Sequence, residues 1–222
     1  MFLHHVKICG ITRRQDALAC AHVGIGALGA VFYPRSIRNV SPAKARELFA
    51  DLPARIARVG VFVNASAESM VATASEAALT TVQMHGSETI DDVLAVHRAG
   101  FHVVKVLKHV DQKLFDAARA LPIGVGILVE CGVGVLPGGN AATWNWAAAA
   151  PLAQIRPFAI AGGLTPANLA EAAHASHASG IDVSSGVEIS PGIKDEAAIR
   201  AFAQAASELP APPAPFAWKT GT

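Results

Sequence analysis

Two groups in this chain have the types and placing for proton transfer. Lys7 and Cys9 alternate at the end of a short apolar run near the N-terminus, and Glu130 closes another, IGVGILVE. If Val6 and Ile8 face one side of a strand, Lys7 and Cys9 share the other. An ammonium beside a thiol is expected to lower its pKa from about 8.5 and make Cys9 a usable base or nucleophile; a buried structural cysteine is the competing reading. A carboxylate at the end of an apolar strand needs a partner or a role, and general acid is favoured over a structural pair for Glu130. Further along, FAIAGGLTPAN and DVSSGVE bring Gly162, Gly163, Ser184, Ser185 and Gly186 to strand-to-helix junctions. Close backbone approach, hydroxyl and amide donors, and positive helix ends are what a phosphate requires. Arg35 and Arg38 lie in the loop FYPRSIRNVSP, where a guanidinium fork suits a planar carboxylate. Gln83 and His85 lie in VQMHG, at the end of the fourth run; His85 could touch a substrate or cap its loop, and spacing does not choose between them.

The elements that position these groups recur regularly. Runs rich in Val and Ile begin at Val6, Leu28, Val59, Thr81, Val103, Ile123, Phe158 and Ile181, with Ala-rich stretches between them. That spacing suits a strand and a returning helix repeated eight times. Start signals for the helices stand at Thr12 with Gln15, at Ser41 before Pro42, at Thr165 before Pro166 and at Asp195 before Glu196. Without an early dinucleotide-binding glycine loop, the pattern predicts a closed parallel (βα)8 barrel, the TIM-barrel architecture, with the site at the C-terminal ends of its strands. On strand eight Asp182 and Ser184 would then point inward beside strand one, so that Lys7 and Asp182 form an ion pair at the substrate-binding surface. Strands one and six are three intervals apart around the ring, which sets Cys9 and Glu130 across the mouth from each other.

Composition narrows the class. The chain has 222 residues, 52% hydrophobic and 16% charged, which excludes a disordered segment or a coiled coil. Eighteen Lys and Arg against 17 Asp and Glu leave +1, so no bulk field selects nucleic acid or a membrane surface. Cys9, Cys20 and Cys131 form neither a disulfide framework nor a metal cluster, which points to a reducing cytoplasm and no metal. Residues 131–155 carry no charge, but proline, glycine and asparagine interrupt them, and the protein reads as soluble. The domain expected is residues 1–208. Beyond it, residues 209–222 read as an extended Pro-rich tail, with four prolines in the six positions 210–215 and with Phe216 and Trp218 available to dock it.

Taken together, VKICGIT with the following DALA, VFYPRSIRNVSP, GVFVNAS, VQMHG, AGGLTPAN and DVSSGVEISPGIKD resemble the phosphoribosylanthranilate isomerases, in order and spacing, from Val6 to about Phe202. The resemblance implies a cofactor-free Amadori rearrangement in tryptophan biosynthesis, acting on a small phosphoribosyl substrate, by a monomer or homodimer with no nucleic-acid or membrane partner. It assigns Cys9 as general base, Arg38 to the anthranilate moiety, and the turns at Gly162, Gly163, Ser184 and Ser185 to the phosphate. Lys7, Gln83, His85, Asp182 and the loop residues Gly138 and Gly139 fall among its substrate contacts. Two departures stand out. Glu130 occupies the place of the family's usual Asp, which moves the carboxyl by roughly 1 Å, an error able to cost on the order of a hundredfold in rate. Residues 138–146 read GGNAATWNW where the family commonly has GGTG followed by FDW. A related phosphosugar isomerase or lyase, or a noncatalytic phosphosugar-binding barrel, are the alternatives. A dual-substrate barrel would need a second phosphate turn after strand three or four, and GVFVNAS and VQMHG lack one.

Overall fold

A computed structural model describes residues 2–108, 111–130, 144–212 and 214–219. Eight parallel strands close into one barrel in chain order: β1 (Leu3–Ile8), β2 (Ile25–Phe32), β3 (Ala57–Phe62), β4 (Thr81–Met84), β5 (His102–Leu107), β6 (Gly126–Glu130), β7 (Ala159–Ala161) and β8 (Gly180–Val183). Closure is direct, since β1 pairs with β8 with Lys7 opposite Asp182. All eight runs predicted from Val and Ile content are strands. The sixth begins later than its apolar run, because Gly124 adopts φ +95° and Ile123 is 99% exposed in the preceding turn.

Helices α1 (Arg14–His22), α2 (Pro42–Phe49), α3 (Ala67–Glu76), α4 (Ile90–Arg98), α5 (Gln112–Ala120), α6 (Leu169–Ser176) and α7 (Glu196–Ser207) cover the strands. Between β6 and β7 the cover is a 3-10 segment, Trp146–Gln154, with Pro151 inside it. Proline removes an N–H and obstructs the preceding turn, which disfavours a regular α-helix there. A short hairpin, β9 (Glu188–Ser190) with β10 (Ile193–Lys194), follows β8 and lies over the strand ends.

Two of the four expected helix starts form as expected. The Ser41 hydroxyl accepts from the Lys44 amide at 3.1 Å, and the Asp195 carboxylate accepts from Ala197 at 2.8 Å. The other two need correction. Thr12 caps nothing and instead donates to the Gly192 carbonyl, tying the first loop to the β9–β10 hairpin, while α1 starts two residues later. Thr165 begins a turn closed by its own amide on Asn168 Oδ1 at 2.8 Å, and α6 starts only at Leu169. In both places a long-range or turn contact took the polar groups that local spacing assigns to a helix.

The core has two parts. The larger lies between strands and helices and includes Val6, Ile8, Leu28, Phe49, Phe62, Ile160 and Phe202. The smaller fills the barrel's lumen with Ala27, Ala57, Val59, Val104, Val106, Leu128, Ala159 and Ala161, and it contains Phe216 and Trp218 from the C-terminal segment.

Candidate active site

Alternation along β1 turns Val6 and Ile8 outward, and Lys7 into the lumen beside Cys9. Lys7 is fully buried and donates to Asp182 Oδ2 at 2.8 Å. Gly29 of β2 makes this possible: a Cβ there would stand 3.0 Å from Cys9 Sγ and 3.1 Å from Lys7 Cε. Burial works against the lysine's charge, but Asp182 and Cys9 outweigh it and hold its pKa above the ordinary value. Burial pushes Asp182 up, against the pull of Lys7. Two desolvated charges so close make sense only as a pair, since removing either strands the other.

The expectation that Lys7 would bring the Cys9 thiol below its usual range does not hold in this site. Burial is the largest influence and pushes the thiol up; Lys7 and Lys194 pull it down and Asp182 adds to the rise, and the net direction is upward. Cys9 is therefore a thiol at rest.

Glu130 ends β6, 8% exposed, with Oε2 2.9 Å from His85 Nε2. Its burial pushes its pKa up, yet His85, Lys108 and Lys7 together outweigh that and hold it below the usual carboxylate range. Glu130 is thus a carboxylate at rest, so Cys9 and Glu130 each carry the proton state opposite to the one expected of a base and an acid. Spacing left His85 undecided, and the structure turns it toward Glu130. The loop carrying His85 is fixed by a buried ion pair in which Lys105 Nζ donates to Glu88 Oε2 and to the Gly86 carbonyl, both at 2.7 Å. Gln83 points inward, 1% exposed. Its Oε1, like Asp182 Oδ1, has no hydrogen-bond partner among the described residues.

The turns after β7 and β8 abut. Gly162 has φ +92° and Gly163 φ +69°, conformations that favour glycine. A Cβ on Gly162 would also stand 3.1 Å from Trp144 Nε1, and that indole donates to the Ala161 carbonyl at 2.9 Å. At Gly186 a Cβ would fall 1.8 Å from the Leu164 carbonyl oxygen, so only glycine lets the second turn close on the first. The Ser184 hydroxyl donates to the Cys9 carbonyl at 3.1 Å, and Ser185 opens a short 3-10 turn. These donors therefore stand next to Cys9.

Arg38 reaches over Gly10, whose φ of +76° and missing Cβ leave room for the arginine stem. Its fork is already engaged: Nε donates to Glu188 Oε1 at 2.8 Å and Nη2 to Glu188 Oε2 at 2.6 Å. Lys194 Nζ donates to the same carboxylate at 2.8 Å and to the Ser184 carbonyl at 3.0 Å. Arg38 and Lys194 help hold Glu188 below the usual range in spite of its burial. Arg35 of the same loop is exposed.

The structure thus brings Lys7, Cys9, Arg38, Gln83, His85, Glu130, Gly162, Gly163, Asp182, Ser184, Ser185 and Gly186 to the C-terminal half of one barrel. Gly138 and Gly139 lie outside the described residues, as do Cys131, Asn140 and Ala141. Glu188, Lys194, Lys108 and Trp144 also belong to the site. Spacing assigns them no part because the fold brings them to their targets: Glu188 meets Arg38 of another loop, Trp144 the Ala161 carbonyl of β7, Lys108 the field of Glu130 and Lys194 that of Cys9. Among the described residues no group of three His, Cys, Asp or Glu side chains could hold a metal, and no helix is long and apolar enough to cross a membrane.

Comparison with known proteins agrees with this geometry. The model of the family described as "N-(5'phosphoribosyl)anthranilate (PRA) isomerase" matches residues 6–205. An N-(5'-phosphoribosyl)anthranilate isomerase of Pseudomonas savastanoi pv. phaseolicola is 42% identical over 199 residues, covering 90% of this chain and 95% of its own. The solved phosphoribosyl anthranilate isomerase of Thermotoga maritima superposes with a TM-score of 0.85 at 35% identity, covering 94% of this chain and all of its own. A second solved isomerase, in complex with reduced 1-(o-carboxyphenylamino)-1-deoxyribulose 5-phosphate, gives 0.82 at 34% identity with the same coverage. With a closed eightfold barrel, paired glycine and serine turns, and a family match over nearly all of the barrel, this chain belongs to the PRA isomerase family.

Proposed function

We propose that this chain, a PRA isomerase of tryptophan biosynthesis, works with Glu130 as general acid and Cys9 as general base. The substrate is N-(5-phosphoribosyl)anthranilate and the product 1-(2-carboxyphenylamino)-1-deoxyribulose 5-phosphate. Glu130 gives its proton to the furanose ring oxygen as the C1–O bond breaks, and the anthranilate nitrogen lone pair forms the iminium. The Cys9 thiolate then takes the C2 proton, leaving an enolamine that tautomerises to the ketose. The observation that carries this reading is that Cys9 and Glu130 stand at the ends of β1 and β6, on one rim and within the field of the buried Lys7–Asp182 pair.

The resting thiol and carboxylate already hold the one proton that the reaction needs, in the opposite order. Substrate covering the mouth excludes water from Glu130, which favours its neutral form, and the productive thiolate and carboxylic acid follow from a redistribution of that proton. The phosphate is received by the turns at Gly162, Gly163, Ser184, Ser185 and Gly186. Among the described residues Arg38 Nη1 has no hydrogen-bond partner, and it is the edge offered to the anthranilate carboxylate. The protein acts as a monomer or homodimer on this small molecule, without nucleic acid or membrane. It works in the cytoplasm, where the unpaired thiols Cys9 and Cys20 stay reduced.

Loss of phosphoribosylanthranilate fluorescence under steady state tests the two roles. Cys9→Ser and Glu130→Gln are each expected to lower kcat by roughly 10²- to 10⁴-fold, with Glu130→Asp retaining more than Glu130→Gln. Near wild-type turnover by either of the first two removes that residue from the mechanism.

A further inference from the structure

The family match ends at residue 205, and the chain that follows crosses to the far end of the barrel from the site. There it is held by backbone and side chains alike. The Phe216 amide donates to the Ser179 carbonyl at 3.1 Å, His102 Nε2 lies 3.1 Å from the Ala217 carbonyl, and the Thr81 hydroxyl donates to the Trp218 carbonyl. Trp218 Nε1 donates to the His5 carbonyl at 3.0 Å, and Lys219 Nζ to the Ala54 carbonyl at 2.8 Å. Phe216 and Trp218 are 3% and 2% exposed and pack edge to face with ring centroids 4.8 Å apart.

The barrel is cut to receive them. A Cβ on Gly126 of β6 would stand 2.8 Å from Phe216 Cζ, and one on Gly180 of β8 would stand 2.7 Å from Phe216 Cβ. Two strands therefore carry no side chain where the phenyl ring sits. Ala27, Ala57 and Ala159 line the same space with the smallest side chains that still cover backbone. One further contact leads upward: Lys7 Nζ lies 5.3 Å from the centroid of the Trp218 ring, within the range of a cation–π interaction.

We propose that the C-terminal segment is the built-in floor of this barrel and that Trp218 is a positioning residue, holding Lys7 from below and through it controlling the reactivity of Cys9. The proposal rests on the reading of Cys9 as base only for its effect on turnover. Lys7 has Asp182 and Cys9 beside it in the lumen and the indole face beneath, in a space that would otherwise open to the far mouth. Without the indole, the ammonium is free to settle toward water and away from the thiol. Cys9 also faces Asp182 on β8 and Lys194 on β10, and Arg38 lies within its field, so Lys7 is one of several charges that set its ionisation. Trp218 touches Lys7 and leaves the others in place.

The test uses the full chain with Trp218→Leu, which keeps an apolar plug, and Trp218→Phe, which keeps an aromatic face. Fold is followed by circular dichroism and Tm. Alkylation of Cys9 by iodoacetamide is followed against pH by mass spectrometry of the Cys9 peptide, beside kcat and KM for the isomerisation. Trp218→Leu is expected to lower kcat by roughly three- to thirtyfold with KM within about twofold, and to move the Cys9 alkylation profile to higher pH, with Trp218→Phe between it and wild type. A folded Trp218→Leu protein with wild-type alkylation and kcat overturns the proposal and leaves the segment a purely structural floor. Equal effects of Leu and Phe overturn the part played by the aromatic face. A shifted alkylation profile with unchanged kcat supports the link from Trp218 to Cys9 and sinks the assignment of Cys9 as base.

Discussion

The two ends of this barrel solve opposite problems. At the C-terminal mouth, charged side chains are buried or half-buried against partners: Lys7 with Asp182, Arg38 and Lys194 with Glu188, and Glu130 against the His85 ring. At the other end, Phe216 and Trp218 fill a lumen of small aliphatic residues. Buried ion pairs add little net stability, because desolvation cancels much of their attraction, but they determine protonation states. An aromatic plug works mainly by burial, its one reach toward the charged end being the Trp218 ring beneath Lys7. The comparison explains how a site full of desolvated charge can be tolerated: stability comes from the other end and from the layer between strands and helices.

Substitutions at the two ends should separate these roles. The largest effect is expected at the floor, where Phe216→Ala removes a buried ring and leaves Gly126 and Gly180 facing a cavity. We expect a loss of about 3–5 kcal/mol in a urea titration, with KM for the folded enzyme nearly unchanged. A stable Phe216→Ala protein would show that the segment docks without supporting the fold.

Next in size is Gly162→Ala, at the mouth. At φ +92° an L side chain is strained, and the new methyl would press on Trp144 and lie near Glu130. A destabilisation of about 1–3 kcal/mol is expected together with a weaker hold on the phosphate, read as a raised KM. If stability falls and KM does not, the turn is structural and the phosphate sits elsewhere.

The smallest and most specific change is expected from His85→Asn. Its imidazole helps to hold the Glu130 pKa below the ordinary value against burial, so removing it lets that pKa rise. On the proposed mechanism, below the Glu130 pKa the free enzyme takes up a second proton and the thiolate form recedes, so the acid limb of kcat/KM would report Glu130. That limb is therefore expected to move to higher pH in His85→Asn, while the alkaline limb, which reports the raised Cys9 thiol, stays in place. An acid limb unmoved by the substitution would take His85 out of the control of the acid.

Much of this molecule follows from local order in the chain. Recurrent Val and Ile runs are enough for eight strands, and eight strands at that spacing close into a barrel with its reactive groups at one end. Period-two alternation is enough to turn Lys7 and Asp182 toward each other from opposite ends of the chain, since closing the barrel sets β1 beside β8 with these two residues in register. Burial and contacts between distant segments could be decided only in three dimensions. Whether Cys9 is a thiol or a thiolate depends on desolvation set against Lys7, Lys194 and Asp182, a balance of opposed effects that residue types do not resolve. Arg38 engages Glu188, and Thr12 engages Gly192 rather than its own helix, because loops from the two ends of the chain meet over the strand ends. A run of prolines announces an extended segment and says nothing of its destination. The missing Cβ atoms of Gly126 and Gly180, on strands six and eight, seat Phe216 in the barrel, and that fit exists only once the sheet has closed.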